Sequence, residues 1–543
     1  MRPPGIALLL LLLQASAAAE VDVQLKLLSP EALEVSYTLP AACRALPFAK
    51  HGDAGRATRE AWQALDGCGT AGAGELARQD AACSTLRFRV PAATRQAGYP
   101  AAFPMGQGLY AHLSNYAVGD GCGKVNYRFA APGIAVNGRS YEHAAEAQSG
   151  ADTAALLLAA PLAQPGAETP SYFDPRLPAA TVAHIGMVAA GTVGYLRKAL
   201  PDAVFQRPIV AAAYVAAPGG VYIGGDASDV LRLALYNWPR APSAADQAKA
   251  TLLVAHEFSH RFQLRDAVDD YPDARLIHEG GGEFLRWMAS IHNGWLTPAQ
   301  AAEELDDALA TCILYSEPKS WRALTPRQVG GNRLEYKCGL PAYVYALAAR
   351  QGQGSAMARI NGFYRSLRQG ARPDFAHAME CGAGAAATPA CQPRWLPKLL
   401  GADGSMEQQW DSMLDSTALA TPQPPTQAMR DAMVLRAVVK LMQDDCGGRS
   451  GTTETPHGVI LDGMKACKTF LQEAHATTIE GLPVFGHPGT GQAMAAACTA
   501  RRQVLLGLQD GGTLAVPCQH PYRMRQQFHR ADIDKVLNAL RAG

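Results

Sequence analysis

Residues 252–287 constrain this chain more than any other stretch. They read Leu-Leu-Val-Ala-His256-Glu257-Phe-Ser-His260, then a loop rich in Asp, then His278-Glu279-Gly-Gly-Gly-Glu283-Phe-Leu-Arg-Trp. Residues four apart share one face of a helix, so a helical 252–260 turns His256 and His260 toward a common point. Two imidazoles at that spacing are ligands for one metal ion. Glu257, one residue past the first histidine, stands beside that ion as a base for water. Zinc with three protein ligands and one open position brings the pKa of its water down to about 7.

A third ligand is required, and two residues compete for the place. Eighteen residues separate His260 from Glu279, enough for a helix end, a loop and the start of a second helix running back past the metal. Glu283 would share a face with Glu279 and accept the second ring N–H of a ligand histidine. Asp266 is the rival, six residues after His260. It needs a sharp turn for which Gly is suited, and Gln263 stands at that position. Glu279 is favoured because it brings its own supporting carboxylate. His278 reads as a first-turn helix residue.

The pentad, the eighteen-residue gap and Glu279-Gly280-Gly281-Gly282-Glu283-Phe284 resemble the gluzincin metallopeptidases. The similarity is to their aminopeptidase-N-like and glycyl-aminopeptidase-like branches, with an acid pair like that of thermolysin. These families carry a catalytic Tyr in a Tyr-x-Lys-Gly segment. Here Tyr336-Lys337-Cys338-Gly339 follows Glu279 by 57 residues, with the Lys one place early. The resemblance implies that Tyr336 bonds a developing oxyanion, with Tyr343 and Tyr345 as substitutes. It also implies a zinc cofactor and a peptide or protein substrate. In these families a Gly-rich edge strand ends in a Glu that grips the substrate's amine. The counterpart, residues 218–226, supplies Gly224, Gly225 and the shorter Asp226, and has no Glu.

The expected reaction is therefore hydrolysis of peptide bonds by a zinc-dependent peptidase, with aminopeptidase action as one form of it. Two alternatives stay open: an exported zinc- or peptide-binding protein whose site has decayed, and water attack on a non-peptide electrophile such as an epoxide.

The remainder of the chain predicts a multidomain protein. Residues 1–19 have the form of a secretory signal, with Arg2, an apolar core at 6–13 and small residues at 15–19. No other run reaches the ~20 residues of a membrane span. Periplasmic or secreted localisation follows as an expectation. Twelve cysteines agree with export and fall into three groups of four, which suggests pairing within each group. Cys312–Cys338 and Cys381–Cys391 are the expected short-range bridges, the first pinning the segment that carries Tyr336. A formal charge of +1 gives no steering toward nucleic acid.

Alternation in residues 21–39, 84–90 and 124–130 predicts an N-terminal β domain over 20–175. Helical patterns predict an α-rich, thermolysin-like catalytic domain over 176–420. Its zinc helix starts at a Ser243/Asp246 cap and buries Leu252, Leu253 and Phe258. Glycines 280–282 open the second helix, where side chains would crowd the metal or substrate. A Pro-rich linker at 421–428 leads to a small α+β domain over 429–543, which faintly resembles a PDZ module.

Overall fold

The structure is a computed structural model. It describes residues 20–49, 58–72, 74–94, 99–147, 153–162, 171–205, 207–263, 273–316, 318–350, 354–371, 373–384, 391–401 and 404–541. The signal-like segment and Asp266 lie outside the described residues. Two compact units divide the chain: residues 1–193 with 204–262, and residues 194–203 with 263–543.

The first unit is built on strand alternation. In β1 (Glu20–Ser29), Val21, Val23 and Leu25 point inward; in β2 (Ala32–Thr38), Leu33, Val35 and Tyr37 do the same. The turn between them at Pro30-Glu31 sets an antiparallel register that puts both apolar sets on one face. With β3 (Thr85–Pro91) and β4 (Lys124–Val136) they belong to a nine-stranded sheet. The alternation at 124–130 runs on to Val136, making β4 longer than its sequence pattern suggested. Beyond it, Ser171–Phe173, β5 (Ile209–Val215) and β7 (Val230–Tyr236) pair in parallel, and β6 (Tyr222–Ala227) joins β7 antiparallel as the edge.

Helix α1 (Ala179–Ala199) is the one helix among the described residues long and apolar enough to cross a membrane. Its Ile185, Val188 and Leu196 are buried, while Met187 is exposed. Helix α2 (Ala244–His260) follows β7. It begins at the expected capping box: Ser243 Oγ accepts the Asp246 N–H, and Asp246 accepts the Ser243 N–H. Such a cap is worth about 1 kcal/mol. The buried face is carried by Val254 and Phe258, four apart. Phe258 is buried as expected, while Leu252 and Leu253 are only half-buried and Val254 takes their place.

The second unit is mainly helical. Helices α3 (Ala274–His292), α4 (Pro298–Ser316), α5 (Leu334–Lys337) and α6 (Gly339–Ala348) are followed by shorter helices to Thr417. A helix at Gln427–Asp445, a six-stranded antiparallel sheet and a helix at Thr490–Arg501 surround a separate apolar core. Five disulfides lie within the three expected cysteine groups: Cys43–Cys122, Cys68–Cys83, Cys312–Cys338, Cys446–Cys467 and Cys498–Cys518. The expected Cys381–Cys391 bridge is not formed. Instead the Cys381 thiol donates to the Cys391 carbonyl at 2.8 Å.

Asp306 of α4 is held largely out of water, and its Oδ1 accepts the Ala531 N–H at 2.9 Å. Burial raises its carboxyl to about 6, against that hydrogen bond and the pull of Arg530. A raised acid favours folding in its protonated form. Its contribution is complete below the unfolded pKa near 4 and is lost as pH rises through 6. Replacing Asp306 with Asn, which keeps an acceptor, should raise the melting temperature more at pH 7 than at pH 4. A pH series of thermal melts checks this; equal shifts at both pH values would contradict it.

Candidate active site

Helix α2 sets the imidazoles. Its last two turns are buried except at His260, and Ser259 Oγ closes on the Ala255 carbonyl at 2.7 Å. The rings of His256 and His260 stand edge to face, 4.4 Å between centroids, with their Nε2 atoms 2.8 Å apart. Glu257 is buried beside them. The helix lies against β6; at Gly225 a Cβ would meet the Arg232 carbonyl of the paired strand at 2.8 Å, while Leu253 of the helix, at 3.4 Å, is at ordinary contact. At Gly224 the nearest atom to an added Cβ is 3.9 Å away, so its space on the edge strand is open.

Glu279 lies in the second turn of α3, because that helix starts at Ala274, ahead of the glycines expected to open it. His256 and His260 close α2 in the first unit, and Glu279 stands on α3 in the second. Two neutral imidazoles and a carboxylate are a donor set suited to zinc. Asp445 with Cys446 and Cys467 forms another cluster of ligand-type residues, within the second unit. There the two sulfurs are bonded to each other, and Asp445 accepts the N–H groups of Lys468, Thr469 and Phe470, which leaves a structural turn.

The glycines of α3 answer to packing. An interior Gly costs about 1 kcal/mol relative to Ala. At Gly280 a Cβ would stand 2.6 Å from the Gly339 Cα, and at Gly281 it would meet the Gln263 amide and the Tyr343 hydroxyl. Gly280 thus admits the neighbouring helix at Gly339.

Glu283 is met by Arg286, a buried guanidinium that also pairs with Glu304. Burial works against the Arg286 charge, and the two carboxylates more than offset it. This pair went unnoticed in the sequence. The signal was a cation inside the apolar run Phe284-Leu285-Arg286-Trp287-Met288, with an acid three residues before it.

Tyr336 is half-buried on α5, which is entered through Arg333 in the left-handed conformation (φ 51°). The Arg333 guanidinium lies 4.6 Å from the Tyr336 ring centroid. Cys312–Cys338 fastens the same segment to α4, as expected. Neither substitute tyrosine is free for an oxyanion: the Tyr343 hydroxyl donates to the Ile277 carbonyl at 2.8 Å, and Tyr345 is buried against Trp410. His278 is buried, and its carbonyl accepts the Gln263 amide at 2.9 Å.

Asp226 needs correcting as an amine anchor. It faces Arg232 across the β6–β7 hairpin, receives the Arg232 Nε at 2.6 Å, and is hydrogen-bonded by Tyr110. Both oxygens are used internally, and the pair is nine-tenths buried. Burial and the adjacent carboxylate push the Tyr110 hydroxyl well up, so it stays a donor.

No family model matches the sequence, and no curated protein matches it. Among solved structures, an aminopeptidase N family protein from Idiomarina loihiensis is similar over 96% of this chain and 100% of that chain, at 12% identity and TM-score 0.55. The fold is aminopeptidase-N-like. An M1 zinc metallopeptidase from Deinococcus radiodurans, bound to a Tyr-Ser-Ala substrate, is 13% identical over 75% of this chain and 95% of its own. Its TM-score of 0.35 is too low to argue from.

Breaking one side of a buried ion pair costs about 3–5 kcal/mol. Replacing Asp226 with Ala should therefore lower stability by that order in denaturant titration. A variant as stable as the parent would contradict the assignment of Asp226 as an internal counter-ion.

Proposed function

We propose that the chain is an exported zinc-dependent peptidase, with zinc held by His256, His260 and Glu279. One observation carries the reading: His256 and His260 bring their Nε2 atoms to 2.8 Å on α2, with Glu257, between them in sequence, buried. The aminopeptidase-N-like fold agrees with it. When bound, zinc supplies a Lewis acid that polarises the scissile carbonyl and makes the attacking water more acidic.

In this reading Glu257 takes a proton from that water as its oxygen bonds to the carbonyl carbon. Glu257 returns the proton to the nitrogen as the C–N bond breaks. Tyr336 donates its hydroxyl to the developing oxyanion. Glu283 accepts a ring N–H of a ligand histidine, and Arg286 with Glu304 holds that carboxylate in place. Gly224, open on an edge strand, is the resting place for an extended substrate backbone. Asp226 takes no part, so an aminopeptidase mode would draw its amine anchor from another carboxylate. Five disulfides support an oxidising compartment, the periplasm or the exterior.

Replacing Glu257 with Gln should leave the zinc content at one ion per chain and lower peptide hydrolysis by about 10²–10⁴-fold. Metal analysis beside a peptide-library assay reads both. Hydrolysis that survives the change removes Glu257 from the mechanism. A parent protein that holds zinc and cleaves nothing favours the decayed, binding-only alternative.

A further inference from the structure

Helices α3 and α6 approach each other backbone to backbone at one place. A Cβ on Gly280 would stand 2.6 Å from the Gly339 Cα, and a Cβ on Gly339 would run into the Gly280 Cα and lie 3.0 Å from its nitrogen. No flexible side chain is in the way; the obstacles are backbone atoms, so neither position has slack. Gly280 immediately follows Glu279, and Gly339 comes three residues, about one helical turn, after Tyr336.

Other fastenings flank this contact. Arg275 of α3 pairs with the buried Glu335, the residue before Tyr336. The Tyr343 hydroxyl holds the Ile277 carbonyl, and Cys338 is bridged to α4. Residues 335, 338, 339 and 343 are thus all tied down, and Tyr336 is carried between the ties. Its own ring lies against Arg333 and is half-buried.

We propose that Gly339 is a positioning residue: its contact with Gly280 sets the depth at which Tyr336 stands relative to α3. This rests on the catalytic reading of Tyr336 given above. An added methyl at 339 must push the two backbones apart, and a displacement of about 1 Å in a reacting group can lower a rate by about 10²-fold.

A double-mutant cycle on the full chain tests it, reading kcat, KM and zinc content for Gly339→Ala, Tyr336→Phe and the double variant. Tyr336→Phe should lower kcat by about 10²–10³-fold, the range for an oxyanion donor. Gly339→Ala should lower kcat by at least about tenfold, with KM and zinc content nearly unchanged. In the Tyr336→Phe background it should then change kcat by less than about twofold, since the group it acts through has gone. Equal losses in both backgrounds, or no loss in either, would overturn the positioning role and leave the catalytic reading intact. Full kcat in Tyr336→Phe would instead overturn the reading of Tyr336, and the positioning role with it. If Gly339→Ala does not fold, the paired change Arg275→Met with Glu335→Gln loosens the same helix contact without inserting an atom. The same cycle with Tyr336→Phe is then decisive by the same criteria.

Discussion

Two imidazoles four residues apart on a rigid helix are held close whether or not anything lies between them. In α2 their Nε2 atoms come to 2.8 Å, close enough to share one ion. Everything around α2 keeps that turn in place. The capping box fixes where the helix begins, and Val254 and Phe258 fix which face is buried. A cation shared by the two rings would turn this proximity into binding energy.

The second constraint is the absence of side chains where α3 meets α6. Three consecutive glycines weaken a helix on propensity alone, by about 3 kcal/mol relative to alanines. The return is a backbone contact between Gly280 and Gly339 that larger residues forbid. Because Glu279 precedes one glycine and Tyr336 lies a turn before the other, the packing of two helices and the placement of two candidate functional groups become one problem. The Arg286 pairing works on the same helix, one turn further on, by keeping Glu283 among charged partners.

How much of this could be read from the chain depended on the range of the interaction. The cap at Ser243, the alternation in β1 and β2 and the disulfide grouping are local or combinatorial signals, and the structure carries each of them. The histidine pair was legible because helical periodicity alone puts residues 256 and 260 on one face. The role of Asp226 is not legible in the sequence because its partner, Arg232, is adjacent only once the β6–β7 hairpin has its register. The glycines of α3 were noticed, but their reason lies 59 residues away at Gly339, beyond any local pattern. Cys381 and Cys391 are near each other as expected; the thiol of the first simply finds a backbone carbonyl.

The most direct test of the zinc site is X-ray absorption at the zinc edge on the purified, zinc-loaded protein. The account predicts a first shell of nitrogen and oxygen only, at about 2.0–2.2 Å, with the outer-shell scattering of two imidazoles. Replacing Glu279 with Gln should alter the light-atom shell while both imidazole signatures persist. Sulfur at about 2.3 Å, or fewer than two imidazoles around the ion, would contradict it.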